Sequence, residues 1–276
     1  MGNETLRKDT VLSVRNLKTY FYVDKHTIVK AVDDVSFDVK RGKITAIVGQ
    51  SGSGKSVTSR SIFNLVDAPG KIVGGEVILN GRDVLKLSGF QQKKVYGKEI
   101  SLIFQEPMSA LNPVLKVKKQ MMESILLHRK IPRKEALEQC RQALLRVNLK
   151  NADTILNQYP FELSGGMCQR VMIAMSMVAH PDVLVADEPT TALDLTIQAV
   201  VLEELKKLRD NGMAIMLITH DLGVVAQMAD DVYVMHEGKI VESGDVFQIF
   251  DHPQHMYTKT LLSAVTEGGK RIGESD

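Results

Sequence analysis

The spacing of apolar positions changes along the chain and divides it into strand-rich and helix-rich stretches. Short β-branched runs open the chain, and similar runs follow the first helical stretch, VTSRSIFNLV. Between residues 116 and 150 the apolar positions recur at helical spacing among many charges, and IPRKEA marks a break and a new helix start. The sequence therefore predicts a helical segment inserted into a strand-and-helix frame. The strand-like runs are TVLSV, AVDDVSFDV, KITAIVG, GGEVILNG and ISLIFQ.

After the helical segment, strands and helices alternate. DVLVADE and AIMLITH have the length and composition of buried strands, and the helical patterns QAVVLEELKKL and LGVVAQMA follow them. This alternation predicts the α/β class, with a parallel sheet covered by helices. The segment VYVMHEGKIVESG returns to strand character. Because we find no internal repeat and no low-complexity linker, we expect one domain with a helical subdomain.

The composition argues against several broad classes of protein. The 276 residues carry 35 Lys and Arg against 33 Asp and Glu, so the net charge of +2 does not favour nucleic acid or an anionic membrane as a partner. We interpret the clusters QQKKVYGK, KVKKQ and HRKIPRK as solvated faces of the helical subdomain. No run approaches the about 18 apolar residues of a membrane helix, so any membrane association is expected to need a partner.

The start of the chain and its two cysteines indicate the compartment. MGNETLRKDT lacks the apolar run of a signal peptide, and Leu6 stands where a myristoylation signal needs Ser or Thr, so we expect the protein to stay where it is made. Cys140 and Cys168 are too few and too widely spaced for a disulfide scaffold, which fits a reducing cytoplasm. We interpret both as structural thiols.

The stretch GQSGSGKS predicts a phosphate-binding loop, because it follows the strand KITAIV and precedes a helical pattern. Glycines let the backbone N–H groups and the next helix N-terminus surround the β- and γ-phosphates. Lys55 would add a point charge, and Ser56 a hydroxyl ligand for Mg²⁺. The residues assigned to the nucleotide here are Gly49, Gln50, Ser51, Gly52, Ser53, Gly54, Lys55, Ser56 and Val57.

Polar residues end three of the predicted strands. Asp187 could hold Mg²⁺, and Glu188 could orient and deprotonate a water, although the pair could also cap a helix over TTALDL. Gln105 and His220 also end strands, where ligands bind in open α/β sheets, although either could be structural. We expect Gln105 and His220 to act as a γ-phosphate reader and a metal or water contact.

The stretch LSGGMCQR places a second Ser-Gly-Gly turn at a predicted helix start, far downstream of the phosphate loop. A helix N-terminus with close backbone access suits an anion, but a plain helix cap would have the same residues. These motifs together resemble the ATP-binding subunits of ABC transporters, and the resemblance spans nearly the whole chain. It implies an α/β fold with a P-loop NTPase (RecA-like) core, an antiparallel β subdomain and a helical subdomain inserted at about residues 106–180.

The resemblance also implies roles for individual residues. Ser164, Gly165 and Gly166 would form the signature that acts on a nucleotide held by another subunit, and Asp194 in TTALDL would lie at the dimer interface. By the same resemblance, Gln105 is the Q-loop glutamine, a Mg²⁺ ligand, and His220 the switch histidine. In LKTYFYVDK, we expect Phe21 to stack on adenine, with Tyr20 and Tyr22 as competitors and a core role as the alternative.

Several stretches are similar to the dipeptide, oligopeptide and nickel importer group: VGQSGSGKSVTSRSI, FQEPMSALNPV, ADEPTTALDLTIQAVVL and ITHDLGVVAQMAD. The stretch IFDHPQHMYTKTLLSAV, at residues 249–265, is similar too, with Met256 in place of a proline, and it opens the expected C-terminal tail of residues 250–276. This match argues against a metal site at His252 and His255. The chain ends at EGGKRIGESD, where longer relatives continue into a Cys-rich extension; this favours a shorter member such as a nickel or metallophore importer subunit without excluding peptides.

Membership of this group implies a subunit that binds MgATP, closes against a second ATPase subunit, hydrolyses ATP and moves membrane partners. The expected function is to power uptake of dipeptides or oligopeptides, with nickel or metallophore import as the alternative. The expected partners are a second and different ATPase subunit, two permease subunits and an extracytoplasmic substrate-binding protein, with no nucleic acid. The expected location is the cytoplasmic face of the membrane. A regulatory module without hydrolysis is the alternative class, but such a module typically lacks the equivalent of Glu188 or His220, which are both present.

Overall fold

The computed structural model describes residues 9–270 except residues 25 and 192. The first eight residues, on which the expectation about targeting rests, and the last six therefore lie outside the description. The chain forms two compact units: the first comprises residues 1–87 and 216–276, and the second comprises residues 88–215.

The elements of the first unit come from both ends of the chain. The strand β8 (Ala214–Thr219) begins in the second unit and ends in the first. The other elements of the first unit are β1 (Thr10–Tyr22), β2 (Ile28–Lys40), β3 (Ile44–Val48), α1 (Lys55–Ile62), β4 (Gly70–Leu79), β5 (Arg82–Asp83), a 3₁₀ turn (Val84–Lys86), α9 (Leu222–Met228), β9 (Asp231–His236), β10 (Lys239–Asp245), α10 (Val246–Asp251) and α11 (Met256–Lys270).

The first sheet of this unit is antiparallel, with the strand order β2-β1-β4-β5. This sheet is the antiparallel β part of the expected fold. The run TVLSV predicted only a short first strand, but β1 continues to Tyr22, because it pairs with β2 on one side and β4 on the other. Register shifts in both pairings accommodate its length.

A second group of strands in the first unit carries the phosphate loop. β3 runs parallel to β9, and β9 is antiparallel to β10. All five residues of β3 are buried, as the apolar run ITAIV predicted. Ala46 and Val48 pack in a core cluster with residues of α9, β9 and α10, and Tyr257 and Leu261 of α11 pack against that cluster. The C-terminal helix is therefore part of the core that supports β3.

In the second unit, β6 and β7 pair in parallel, and the helical segment lies between them along the chain. The helices α4, α5 and α7 contact one another. The Met-rich run VMIAMSMV, residues 171–178, forms the last part of α7 and its C-cap, and most of its residues are buried in the core. The elements are α2 (Gly89–Val95), β6 (Ile100–Ile103), α3 (Pro107–Ala110), α4 (Val117–Leu126), α5 (Arg133–Arg146), α6 (Ala152–Asn157), a 3₁₀ turn (Pro160–Glu162), α7 (Gly165–Met177), β7 (Val183–Asp187) and α8 (Leu195–Asp210).

The length and composition of the helices show whether any of them could cross a membrane. Within the described ranges, none of the helices combines the length and the apolar character needed to span a bilayer.

Candidate nucleotide-binding site

The phosphate loop of the first unit connects the buried strand β3 to the helix α1. Two of its glycines, Gly49 (φ +157°) and Gly54 (φ +104°), have positive φ angles and no space for a side chain. A Cβ at Gly49 would overlap the carbonyl oxygen of Met235, and a Cβ at Gly54 would overlap that of Ala31. The loop can therefore follow this path only with glycine at both positions.

The loop is also held by its own lysine. The Nζ atom of Lys55 donates to the carbonyl oxygens of Gly49 at 2.7 Å and Gln50 at 2.9 Å. Lys55 is buried, whereas Ser51 and Gly52 at the turn of the loop are exposed, and Ser56 is half-buried. The structure thus places the predicted cation inside the curve of the glycine-rich backbone.

We expect Gly54→Ala to lower the free energy of unfolding by about 2–4 kcal/mol, because it adds overlap with Ala31 to a left-handed backbone. The matched control is Gly52→Ala, since Gly52 also has a positive φ (+79°) but its Cβ would meet nothing within 4 Å. The control should cost only about 1–2 kcal/mol. Urea unfolding of both variants measures the difference. Equal losses would mean that space around Gly54 does not determine the loop.

Three neighbouring aromatic residues of β1 compete for the expected adenine contact. The hydroxyl of Tyr20 donates to Asp33 at 2.6 Å, and this hydrogen bond is the main cause that raises the pKa of Tyr20 to about 12. Phe21 is half-buried, with its ring edge against Gly70. Tyr22 is 40% exposed. Tyr20 is thus engaged within the sheet, and the assignment of Phe21 to adenine stays a prediction.

His220 lies directly after the buried strand β8 and is exposed. The residues on both sides of it are fixed by hydrogen bonds. The N–H of Asp221 donates to the hydroxyl of Thr219 at 3.0 Å, and the Asp221 carboxylate caps α9 by accepting from Gly223 and Val224 at 2.9 and 3.2 Å. The imidazole therefore projects from a backbone segment that is held at both ends.

In the second unit, the buried strand β7 ends in the predicted carboxylate pair. Asp187 is 4% exposed, and Glu188 is half-buried with a positive φ of 48°, an uncommon backbone conformation for a non-glycine residue. The Oε2 atom of Glu188 accepts from Nε2 of Gln105 at 3.2 Å and from the hydroxyl of Thr191 at 3.1 Å. The structure therefore brings together Glu188 and Gln105, which lie 83 residues apart in the sequence.

Gln169 supports the backbone at Glu188, and no motif in the sequence pointed to this residue. Its side chain is completely buried in α7, and its Nε2 donates to the carbonyl oxygens of Pro189 at 2.7 Å and Glu188 at 3.5 Å. Its Oε1 has no hydrogen-bond partner among the described residues. The only signal in the sequence was an amide on the buried face of a helix. Gln169 thus links the signature helix to the peptide that carries Glu188.

We expect Gln169→Leu to lower the free energy of unfolding by about 1–3 kcal/mol, because it takes away the donor to the buried carbonyl oxygen of Pro189. Gln142→Leu is a matched control, since Gln142 is exposed on α5 and its side chain donates to Glu138, which is also exposed. The control is expected to change stability by less than about 0.5 kcal/mol. Urea unfolding compares the two, and similar small effects would contradict the structural role of Gln169.

The Ser-Gly-Gly turn begins α7, as predicted. Ser164 is its N-cap and accepts from the N–H of Met167 at 3.3 Å. Ser164 therefore does cap the helix, whatever further role the turn has. Ser164 and Gly165 are exposed, and a Cβ at Gly165 would meet nothing within 4 Å. The fold of this chain therefore does not itself require glycine at position 165.

The structure also shows which residue caps the helix α8. Asp194 is the N-cap of α8 and accepts from the N–H of Ile197 at 3.0 Å, so Asp187 and Glu188 are not the cap of that helix.

Both cysteines are buried. The thiol of Cys168 donates to the carbonyl oxygen of Pro160 at 3.4 Å, and burial raises the pKa of this thiol. Burial also raises the pKa of Cys140 to about 12. Both thiols are therefore structural, as expected.

A model of the family described as "ABC transporter" matches residues 32–191 of the chain. The glutathione import ATP-binding protein GsiA of Escherichia coli K12 is 47% identical over 278 aligned positions, which cover 98% of this chain and 44% of that protein. The chain thus spans less than half the length of this relative. A probable peptide ABC transporter ATP-binding protein, y4tR of Sinorhizobium fredii, is 46% identical and covers 95% of this chain and 78% of its own length.

Solved structures are similar over most of the chain. A dimeric post-hydrolysis state of the ATP-binding cassette MJ0796 bound to ADP and Pi has a TM-score of 0.78 and 25% identity, covering 85% of this chain and 98% of that one. A second dimeric structure of MJ0796, described as a bacterial ABC transporter cassette, has a TM-score of 0.77 and 26% identity over the same shares. These likenesses confirm the fold that the sequence predicted.

Proposed function

Because the chain belongs to the ABC transporter family of ATP-binding proteins, we propose that it binds and hydrolyses ATP to power the import of peptides. The observation that most directly supports ATP hydrolysis is the hydrogen bond between Gln105 and Glu188 at the end of β7. A carboxylate held in this way can orient a water molecule and accept its proton. The relatives named for glutathione import and peptide transport support a peptide as the cargo.

The phosphate loop supplies the main nucleotide contacts in this proposal. Its backbone N–H groups and the N-terminus of α1 bind the β- and γ-phosphates, and Lys55 adds a positive charge. The buried position of Lys55 inside the loop supports this role. Phe21 stacks on adenine. His220, beyond the carboxyl end of β8, contacts the γ-phosphate or the attacking water.

The proposed Mg²⁺ ligands are Ser56, Asp187 and Gln105. They offer a hydroxyl, a carboxylate and an amide oxygen, which are the hard oxygen donors that Mg²⁺ prefers. Among the described residues there is no cluster of three or more His, Cys, Asp or Glu side chains. This fits Mg²⁺, since nucleotide-site Mg²⁺ uses few protein carboxylates and completes its shell with phosphate and water oxygens. When bound, Mg²⁺ neutralises charge on the β- and γ-phosphates.

The signature turn is proposed to act on the nucleotide of a second ATPase subunit. Its exposure, and the open space around Gly165, support a role outside this chain. Two subunits arranged head to tail would enclose two ATP molecules, with Asp194 at their interface. The dimeric cassette structures support such an assembly. We propose a different ATPase subunit as the partner, although the isolated chain could pair with itself.

We further propose that the subunit lies at the cytoplasmic face of the membrane, bound to two permease subunits and served by an extracytoplasmic substrate-binding protein. The helical segment that follows Gln105 would pass the motion of ATP hydrolysis to the permeases. Nucleic acid is not a proposed partner, because the net charge of the chain is only +2.

Uptake experiments test the cargo. Cells that lack this subunit should lose uptake of a labelled dipeptide or tripeptide and recover it when the wild-type chain is supplied. A nickel or metallophore importer is the competing proposal, and it predicts loss of nickel uptake with peptide uptake unchanged.

ATP hydrolysis tests the enzyme. The purified chain, alone and mixed with its candidate partner ATPase, is expected to release phosphate from ATP in a Mg²⁺-dependent reaction. ATP binding without phosphate release in either sample would favour a regulatory module over an ATPase.

A further inference from the structure

The C-terminal helix α11 contacts the phosphate loop directly through Tyr257. The backbone N–H of Gln50, in the loop, donates to the hydroxyl of Tyr257 at 2.9 Å. The carbonyl oxygen of Gln50 accepts from the ammonium of Lys55 at 2.9 Å. The same loop residue is therefore held on one side by the phosphate-binding lysine and on the other by Tyr257.

The ring of Tyr257 is itself held in place. It stacks on the imidazole of His236, with the ring centroids 3.8 Å apart and the planes 20° from parallel. His236 is the last residue of β9, and the preceding residue, Met235, is the one that excludes a side chain at Gly49. In the turn after β9, the N–H of Gly238 donates to the carbonyl oxygen of Ser53 at 3.0 Å. The end of β9 and the start of α11 thus support the loop together.

The segment before α11 is anchored to β10. The carboxylate of Glu242 accepts from the backbone N–H of Gln254 at 2.7 Å and of His255 at 3.0 Å. Burial by itself would raise the pKa of Glu242, but hydrogen bonds to its carboxylate lower the pKa below its ordinary value. The Nδ1 atom of His255 then accepts from the N–H of Tyr257 at 3.2 Å. This chain of contacts fixes where α11 begins and where Tyr257 points.

We propose that Tyr257 is a positioning residue for nucleotide binding, whose hydroxyl presets the phosphate loop through the amide of Gln50. The inference rests on the proposed function, but it adds a residue outside the 32–191 region that matches the family model. Since the loop contacts the phosphates of the nucleotide before and during hydrolysis, a less ordered loop weakens both states equally. Uniform weakening raises KM and leaves kcat unchanged.

Tyr257→Phe removes the hydroxyl and keeps the ring on His236. We expect the Kd for ATP, measured by calorimetry, and the KM for ATP to rise about threefold to tenfold, with kcat within about twofold of wild type. The amide of Gln50 should exchange with solvent faster, as measured by NMR without nucleotide. The matched control is Tyr233→Phe, since the Tyr233 hydroxyl accepts from the N–H of Asp38 at 3.4 Å, away from the loop. It should leave the Kd for ATP unchanged.

Three outcomes decide the matter. An unchanged Kd and an unchanged Gln50 exchange rate in Tyr257→Phe would overturn the inference while leaving the proposed function intact. A fall in Tm and active fraction at unchanged KM would also overturn it, because it would make Tyr257 only a packing residue. If the wild-type chain binds no ATP, the proposed function fails, and the inference fails with it.

Discussion

Replacing Glu188 by Gln is expected to reduce ATP turnover about a thousandfold, because the amide cannot accept the proton of the attacking water. The change is nearly isosteric. A glutamine oxygen can still accept from Gln105 and Thr191, so the geometry at the end of β7 should be retained. ATP binding should therefore remain close to that of wild type while phosphate release is lost.

The measurement is steady-state phosphate release, paired with an ATP-binding isotherm on the same preparation. Glu203→Gln is the control. Glu203 is an exposed residue of α8, so this substitution makes the same chemical change outside the site. Turnover in Glu188→Gln within about threefold of the control would show that another group takes the proton. Loss of binding together with turnover would instead indicate that the loop geometry, rather than the proton acceptor, had been damaged.

The fold and the phosphate loop could be predicted because each depends on local pattern. The run ITAIV followed by glycines and Lys55 specifies a buried strand, a tight loop and a helix, and the structure has these elements at residues 44–62. The positive φ of Gly54 agrees with the residue type. Local sequence and local geometry are consistent there, so the motif was sufficient.

The supporting contacts of the site could not be predicted in this way. Gln169 donates to a carbonyl 20 residues away, and Tyr257 contacts an amide 207 residues away. Both bonds end on main-chain atoms, which carry no residue identity that a sequence pattern could match. The left-handed backbone conformation of Glu188 could not be predicted either, because Gly or Asn normally indicates such a conformation and glutamate does not. Tertiary packing determines these features, and only the folded chain reveals them.

A second large effect is expected from Gly165→Ala, which should lower ATP turnover about tenfold to a hundredfold at the proposed site that the signature turn shares with the partner's phosphate loop, while leaving the chain as stable as wild type. Within the chain, the added methyl group meets nothing within 4 Å, and alanine suits a helix better than glycine does. At the proposed interface, however, the methyl group would stand between the N-terminus of α7 and a phosphate of the partner's nucleotide. The prediction thus separates a requirement of the assembly from a requirement of the fold.

The chain contains its own control for this test. Gly89 also follows a serine N-cap, begins a helix, is exposed and has nothing within 4 Å of a Cβ. Gly89→Ala should therefore leave both Tm and turnover unchanged. To isolate this shared site, the chain with both Gly165→Ala and Glu188→Gln is mixed with the wild-type partner ATPase, so that phosphate release comes from ATP bound at the partner's phosphate loop. Equal turnover with alanine at position 165 and at position 89, in this background, would mean that the signature turn serves only as a helix start.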